Sequence, residues 1–387
     1  MTTRTHRPTA GPPRAAPQLR PVVTELRLAA FGPHRRTVIP LAPLTVLTGP
    51  SGSGKSVALK AYEALARLGA GLPLDEVFPD PSGNIPERGA PDAEGRRGFR
   101  IGCTVDGPAG PVCLDLAVQA EPTLRIVGER LTGGGETLLS TALRDPRRPT
   151  VQAAWHTAGH VPVTRAPFPD DRLGTALLPL RVAGTTTGQL QVLAAAEQVV
   201  VGLHSAFVCD PQPAWMRGPA LLGDDLLRGG CDNIAAVLGR TRARHAVRHA
   251  RLVSVASAGF AEPVTALSPE DAGDGTVHAS VGRNDGRSGR LGLLGDGELR
   301  YLALALALLH GPAVLEVDTP AEVPEAVRVL TVLADGLDRG LDGRQADELL
   351  RLASTVCGDG HTRLLAAVGA EAGEAARTVP GAAVVDL

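Results

Sequence analysis

The stretch Leu44-Thr45-Val46-Leu47-Thr48-Gly49-Pro50-Ser51-Gly52-Ser53-Gly54-Lys55-Ser56 runs an apolar segment into a glycine-rich loop. Gly49 to Ser56 matches G-x-x-x-x-G-K-[ST] at every fixed position. The chemistry accounts for the spacing. Glycines let the chain wrap until successive backbone N–H groups converge on an anion. A helix expected over Val57 to Leu68, apolar at 57, 58, 61, 65 and 68, aims its positive end at the same place. Lys55 supplies a mobile cation for β- and γ-phosphates, and Ser56 a hydroxyl for Mg²⁺. Gly49, Pro50, Ser51, Gly52, Ser53, Gly54, Lys55 and Ser56 are therefore the candidate nucleotide-binding residues, with ATP and Mg²⁺ as the implied cofactors. Lys55 is one of only two lysines among 39 basic residues, which makes its retention there informative.

Composition sets the bounds. A chain of 387 residues is long enough for one large domain or two lobes. Aromatic residues make up only 3%, so the core must be built from Leu, Val and Ala. A net charge of -2 gives no global attraction to nucleic acid or membrane, and any DNA contact would need a local patch. The five cysteines, Cys103, Cys113, Cys209, Cys231 and Cys357, form no CxxC pair and read as buried thiols in a reducing, cytoplasmic setting. Apolar runs long enough to span a membrane are missing from the sequence.

Outward from the loop, residues 1–21 read as a flexible basic tail. Val22 to Ala30 and Thr37 to Leu41 alternate as a strand pair around the turn at Phe31-Gly32-Pro33, and Leu44 to Thr48 is a short buried strand. After a Pro/Gly-rich loop over 71–98, Arg100 to Val105, Val112 to Val118 and Thr123 to Leu131 alternate like antiparallel strands. From Glu136 to about Ser257 the pattern reads as helical, broken by a strand at Ser205 to Cys209. A Gly/Asp-rich meander follows over 262–292, then an apolar helix at Leu299 to Leu309. Ala313 to Val317 and Leu364 to Val368 read as buried strands.

Ala313-Val314-Leu315-Glu316-Val317-Asp318 places Asp318 at a strand end, where a carboxylate holds Mg²⁺ through water. Upstream lies Leu294-Gly295-Asp296-Gly297-Glu298-Leu299-Arg300-Tyr301-Leu302-Ala303-Leu304. This block resembles the helix-opening L-S-x-G-E/Q of ABC-type ATPases, in the form found in their RecF/OLD/SMC-like branch, also grouped with the AAA ATPases. Thr24 to Phe31 resembles that branch's opening strand and Asn-Phe-Arg turn. Gly230-Cys231-Asp232-Asn233-Ile234-Ala235-Ala236-Val237-Leu238 resembles its G-x-N-L-x-x-x-L helix start. The resemblance implies an α/β fold, a P-loop ABC-type ATPase head with an N-terminal antiparallel β-subdomain and a helical insertion. Its divisions would be 22–135 for the N-terminal lobe, 136–261 for the insertion and 262–387 for the C-terminal lobe. It also implies a homodimer sandwiching ATP, in which Leu294, Gly295, Asp296, Gly297 and Glu298 of one head cap the γ-phosphate held by the other.

Three positions depart from the family pattern. The serine after Leu294 is Gly295, the glutamate after the strand-end aspartate is Thr319, and the switch histidine is Gly369. Glu322 is the remaining candidate for the catalytic carboxylate. Slow or absent hydrolysis is the expectation, with ATP acting as a switch in a DNA-related or defence process. The alternatives are a non-hydrolysing scaffold for a partner effector, supplied by another chain because no nuclease extension or coiled coil is evident, and a nucleotide kinase. Arg240, Arg242, Arg244, Arg248 and Arg251, with His245 and His249, suggest a basic helix that could track a phosphate backbone. His245/His249 and His156/His160 have i, i+4 spacing but lack the further ligands a metal site needs.

Overall fold

A computed structural model describes residues 20–157, 163–317 and 328–387. The tail over 1–19, His160, Asp318, Thr319 and Glu322 lie outside the described residues. The strands are β1 (Val22–Ala29), β2 (Thr37–Pro40), β3 (Leu44–Thr48), β4 (Arg97–Asp106), β5 (Val112–Glu121), β6 (Arg125–Gly133), β7 (Glu136–Ala142), β8 (Thr150–His156) and β9 (Val163–Pro169). They continue with β10 (Ala206–Val208), β11 (Ala220–Leu221), β12 (Val264–Gly273), β13 (Thr276–Arg283), β14 (Ser288–Arg290), β15 (Leu330–Asp335), β16 (Thr362–Ala367) and β17 (Ala382–Asp386).

Two large sheets carry the molecule. The first is antiparallel, in the order β2-β1-β4-β5-β6-β7-β8-β9. Its inner face is apolar by strict alternation: Phe99, Ile101, Cys103 and Val105 on β4 face inward beside Val112, Leu114, Leu116 and Val118 on β5. The second is parallel, in the order β10-β15-β16-β3-β17. Covered on both faces, its strands read as continuous apolar runs. Leu44 and Val46 of β3 enter one core and Leu47 the other; Leu364 and Leu365 of β16 divide the same way. A third, smaller sheet joins β11, β13, β12 and β14.

The helix Lys55–Gly69 buries Ala58, Ala61, Leu65 and Leu68 between the two large sheets, as the 3.6-residue pattern requires. Tyr62 on this helix donates its hydroxyl to Thr331 Oγ1 on β15 at 3.1 Å. Burial pushes that hydroxyl's pKa up to about 12, so it stays a neutral donor. The helix Thr187–His204 lies against the antiparallel sheet, and Gln198 pins it by donating to Val105 O at 2.8 Å and accepting from Ala109 N at 2.8 Å.

Three regions differ from the sequence expectation. Residues 136–157 and 163–169 are not helical: β7, β8 and β9 extend the antiparallel sheet. In β8 the buried residues are Val151, Ala153 and Trp155, a period of two that intervening Ala154 disguises. The helical part of the expected 136–261 insertion begins only after Pro169. Second, Ala313–Val317 is not a strand of the parallel sheet. Pro312 sits in a 3₁₀ turn, and Leu315 makes a lone parallel bridge with Leu227. The place beside β16 is taken by β15. Third, the arginine-rich stretch is two helices, Ile234–Arg244 and Ala246–Gly259. Arg240 pairs with Asp225, Arg242 donates to Ser268 Oγ and Arg248 to His310 O, while Arg244 and Arg251 are exposed. His249 is likewise engaged, between Thr241 Oγ1 and Leu267 O. Among the described residues, no cluster of three or more His, Cys, Asp or Glu side chains suits a metal, and no helix is long and apolar enough to cross a membrane.

Leu65 is fully buried where the Lys55 helix meets both sheets. Leu65→Ala should lower the unfolding free energy by about 2–5 kcal/mol in denaturant titration, the usual cost of such a truncation in a core that cannot collapse.

Candidate functional site

The loop between β3 and the Lys55 helix has the backbone its glycines imply. Gly49, Gly52 and Gly54 have φ of 142°, 84° and 103°, which L side chains rarely adopt. A Cβ on Gly54 would stand 2.5 Å from His34 Nε2, so both conformation and space demand glycine there. The N–H groups of Gly54, Lys55 and Ser56 have no hydrogen-bond partner among the described residues, and no side chain caps the helix. Ser53 Oγ is buried and also lacks a partner among them. Lys55 Nζ folds back onto Gly49 O at 2.7 Å and Pro50 O at 3.0 Å. Open N–H donors, a mobile cation and an orphaned hydroxyl fit a polyphosphate, which would take up all three.

Ser56 Oγ donates to Asp335 Oδ1 at 2.9 Å. Asp335 ends β15, which is separated from the loop's own strand β3 by β16 alone. Asp335 is thus a second carboxylate, besides the Asp318 expected from the sequence, that ends an apolar run, and it lies against Ser56. The signal was present: Leu330-Thr331-Val332-Leu333-Ala334-Asp335 is another apolar run ending in aspartate. A hydroxyl and a carboxylate at this separation, together with phosphate oxygens and water, would suit Mg²⁺.

Behind Asp335 the segment Gly336–Asp342 turns sharply. Gly336 has φ of 63° and offers no carboxylate at the position after the aspartate. Asp338 Oδ2 accepts from Gly369 N at 2.9 Å, and Gly369 begins the helix Ala370–Arg377 without presenting a side chain.

A cleft of about 710 Å³ opens in front of the loop. Ser51, Gly52, Gly54, Lys55 and Ser56 line one side, and Arg35 and Arg88 contribute from the β1–β2 connection and the 71–98 loop. Neither arginine makes an ion pair among the described residues. Arginine in a loop carries no spacing signal, so sequence reasoning passed over both.

The segment Leu294–Glu298 stands apart from the cleft. Gly295 precedes the helix Asp296–His310, and Glu298 accepts from Gly295 N at 3.3 Å and Ala261 N at 3.1 Å. Arg217 donates to Leu294 O at 2.8 Å and pairs with Asp296. Gly297 packs so tightly that a Cβ would lie 2.4 Å from Gly340 O. None of this segment's hydrogen bonds among the described residues reaches Gly49–Ser56. Gly295 and Asp296 are exposed, and Leu293 beside them is 81% exposed.

Solved SMC head domains are similar to this chain along most of its length. An SMC head domain from Thermotoga maritima is 17% identical, covers 92% of each chain and has a TM-score of 0.43. An SMC head bound to the C-winged helix domain of ScpA is 15% identical over 91% of this chain and 90% of that one, with a TM-score of 0.48. An SMC head with an extended coiled coil, bound to the C-terminal domain of ScpA derived from Pyrococcus furiosus, is 13% identical over 91% and 90%, with a TM-score of 0.45. At these scores the likeness assigns no residue a role. No protein-family model and no curated protein matches the chain.

Asp335→Asn should weaken the Mg²⁺-dependent part of ATP binding by about 10–100-fold, the usual cost of losing an outer-shell metal partner. Asp318→Asn should leave it unchanged. Titrations of both variants with ATP, with Mg²⁺ and with EDTA, separate the two carboxylates; a metal effect lost with Asp318 and kept without Asp335 would reverse the assignment.

Proposed function

We propose that the chain is an ATP-binding head of the ABC type, in the RecF/OLD/SMC-like branch, that grips ATP–Mg²⁺ and hydrolyses it slowly or not at all. The observation that carries this is the Ser56–Asp335 contact at 2.9 Å beside a loop of unpartnered N–H groups. In this reading Gly49 to Lys55 hold the phosphates, Ser56 and Asp335 hold the metal, and Arg35 and Arg88 neutralise charge at the open side. The metal would draw charge from the phosphate oxygens when bound.

Two positions argue for holding over hydrolysis. The residue after Asp335 is Gly336, so the water-polarising carboxylate of the family is missing there. Gly369 stands where the family carries its switch histidine. Phosphoryl transfer depends on positioning and charge stabilisation, and losing either group costs orders of magnitude in rate. Glu322 remains the candidate for an alternative base. A non-hydrolysing scaffold for an effector protein is favoured by the same two glycines, and a nucleotide kinase by the loop alone.

Leu294, Gly295, Asp296, Gly297 and Glu298 would cap the γ-phosphate of a second copy. Support comes from the exposed Gly295 and from a helix start at which glycine leaves no capping side chain. Dimerisation driven by ATP would make the protein a nucleotide-controlled switch, with a DNA transaction or a defence response as the setting.

On a sizing column the protein should elute as a monomer without nucleotide and as a dimer with ATP–Mg²⁺, and Lys55→Ala should stay monomeric. Turnover should fall below about 1 per second, the low end of ordinary enzymes. A Lys55-dependent rate at or above that value would overturn the non-hydrolytic reading. A nucleotide-bound monomer that phosphorylates a nucleoside monophosphate would replace it with the kinase.

A further inference from the structure

His34 is a buried polar side chain, 4% exposed, directly behind the phosphate loop. It closes the turn between β1 and β2, where Phe31 N donates to His34 O at 3.1 Å and His34 N to Phe31 O at 3.0 Å. The turn presses on the start of the Lys55 helix. A Cβ on Gly32 would lie 2.9 Å from Val57 Cγ1, and one on Gly54 would lie 2.8 Å from Pro33 Cγ.

The imidazole has two partners. Nε2 is 3.0 Å from Gly54 O, and Nδ1 is 3.1 Å from Thr37 Oγ1. A carbonyl oxygen only accepts, so Nε2 carries a hydrogen and donates it. In the neutral ring Nδ1 then accepts from the Thr37 hydroxyl, which locks the tautomer. Gly54 O also accepts the helix bond from Ala58 N at 2.9 Å, so both of its lone pairs are engaged.

Gly54 O and the Lys55 N–H are opposite ends of one planar peptide unit. Fixing the oxygen on the His34 side fixes the N–H toward the cleft. Glycine at φ of 103° imposes little torsional resistance of its own, so the peptide's orientation is set by the two donors on Gly54 O, the helix N–H of Ala58 and the Nε2–H of His34. Rotated, it would turn a carbonyl dipole toward the phosphates in place of an N–H.

We infer that His34 is a positioning residue for phosphate binding, its Nε2–H bond to Gly54 O holding the Lys55 N–H on the anion. The inference rests on the nucleotide-binding reading of the loop and deepens it. His34 touches no substrate; it acts through the Gly54–Lys55 peptide.

Side-chain mimicry separates this role from mere packing. A glutamine amide can place an N–H near the Nε2 position, whereas asparagine reaches only the Nδ1 position. Wild type, His34→Gln, His34→Asn and His34→Ala are titrated with mant-ATP and Mg²⁺, and each variant's melting temperature is measured without nucleotide. His34→Ala and His34→Asn should bind about 3–10-fold more weakly, the scale of one neutral hydrogen bond, and His34→Gln within about 2-fold of wild type. Equal affinity in all four, or losses that follow melting temperature with Gln no better than Asn, would overturn the inference. If His34→Ala does not fold, the Gln and Asn variants, which keep a polar side chain of similar bulk, decide alone. Wild type that fails to bind mant-ATP would instead sink the nucleotide reading itself.

Discussion

The hydrogen bond from Ser56 Oγ to Asp335 Oδ1 joins residues 279 apart in sequence, and the site exists only where the parallel sheet brings them together. Three features set that distance. The strand β16 spaces β15 from β3 by a fixed two-strand step. The Tyr62–Thr331 bond sets the Lys55 helix against β15. Val368 N donates to Leu47 O at 3.0 Å, tying the end of β16 to the strand that feeds the loop. Each is buried, so movement in any of them would expose apolar surface as well as break a bond.

The second constraint comes from the antiparallel sheet. Its first turn, Phe31 to His34, bears on Gly54 and Val57, while Gly32 N reaches across to Asn84 O at 2.8 Å. One turn thus touches the loop, its helix and the segment that carries Arg88. The antiparallel sheet therefore supports the glycine-rich loop from behind and does more than cover a core.

The sequence made much of this legible, and the failures have physical causes. The loop, its helix, β1 to β6 and β16 were readable because glycine spacing, period-two alternation and an amphipathic stripe each leave a local mark. The strands β7 to β9 were hidden by alanine and threonine, which blur the difference between inward and outward positions. Asp335 was hidden by competition: two apolar runs end in aspartate within 18 residues, at 318 and 335, and the first follows more directly from the Leu294 segment. Only the pairing of β15 with β16 separates them. His34, Arg35 and Arg88 were invisible because long-range contacts between loops leave no periodicity.

Unpartnered N–H groups and the Ser56–Asp335 pair stand together beside Lys55, and in the proposed reading Gly336 and Gly369 would leave the water-activating positions without a side chain. Isothermal titration of the full chain with ATP–Mg²⁺ tests the grip directly. Saturable heat with one ATP per chain, abolished by Lys55→Ala, is the expected result. No saturable heat in the wild type, or the same heat in Lys55→Ala, would contradict it.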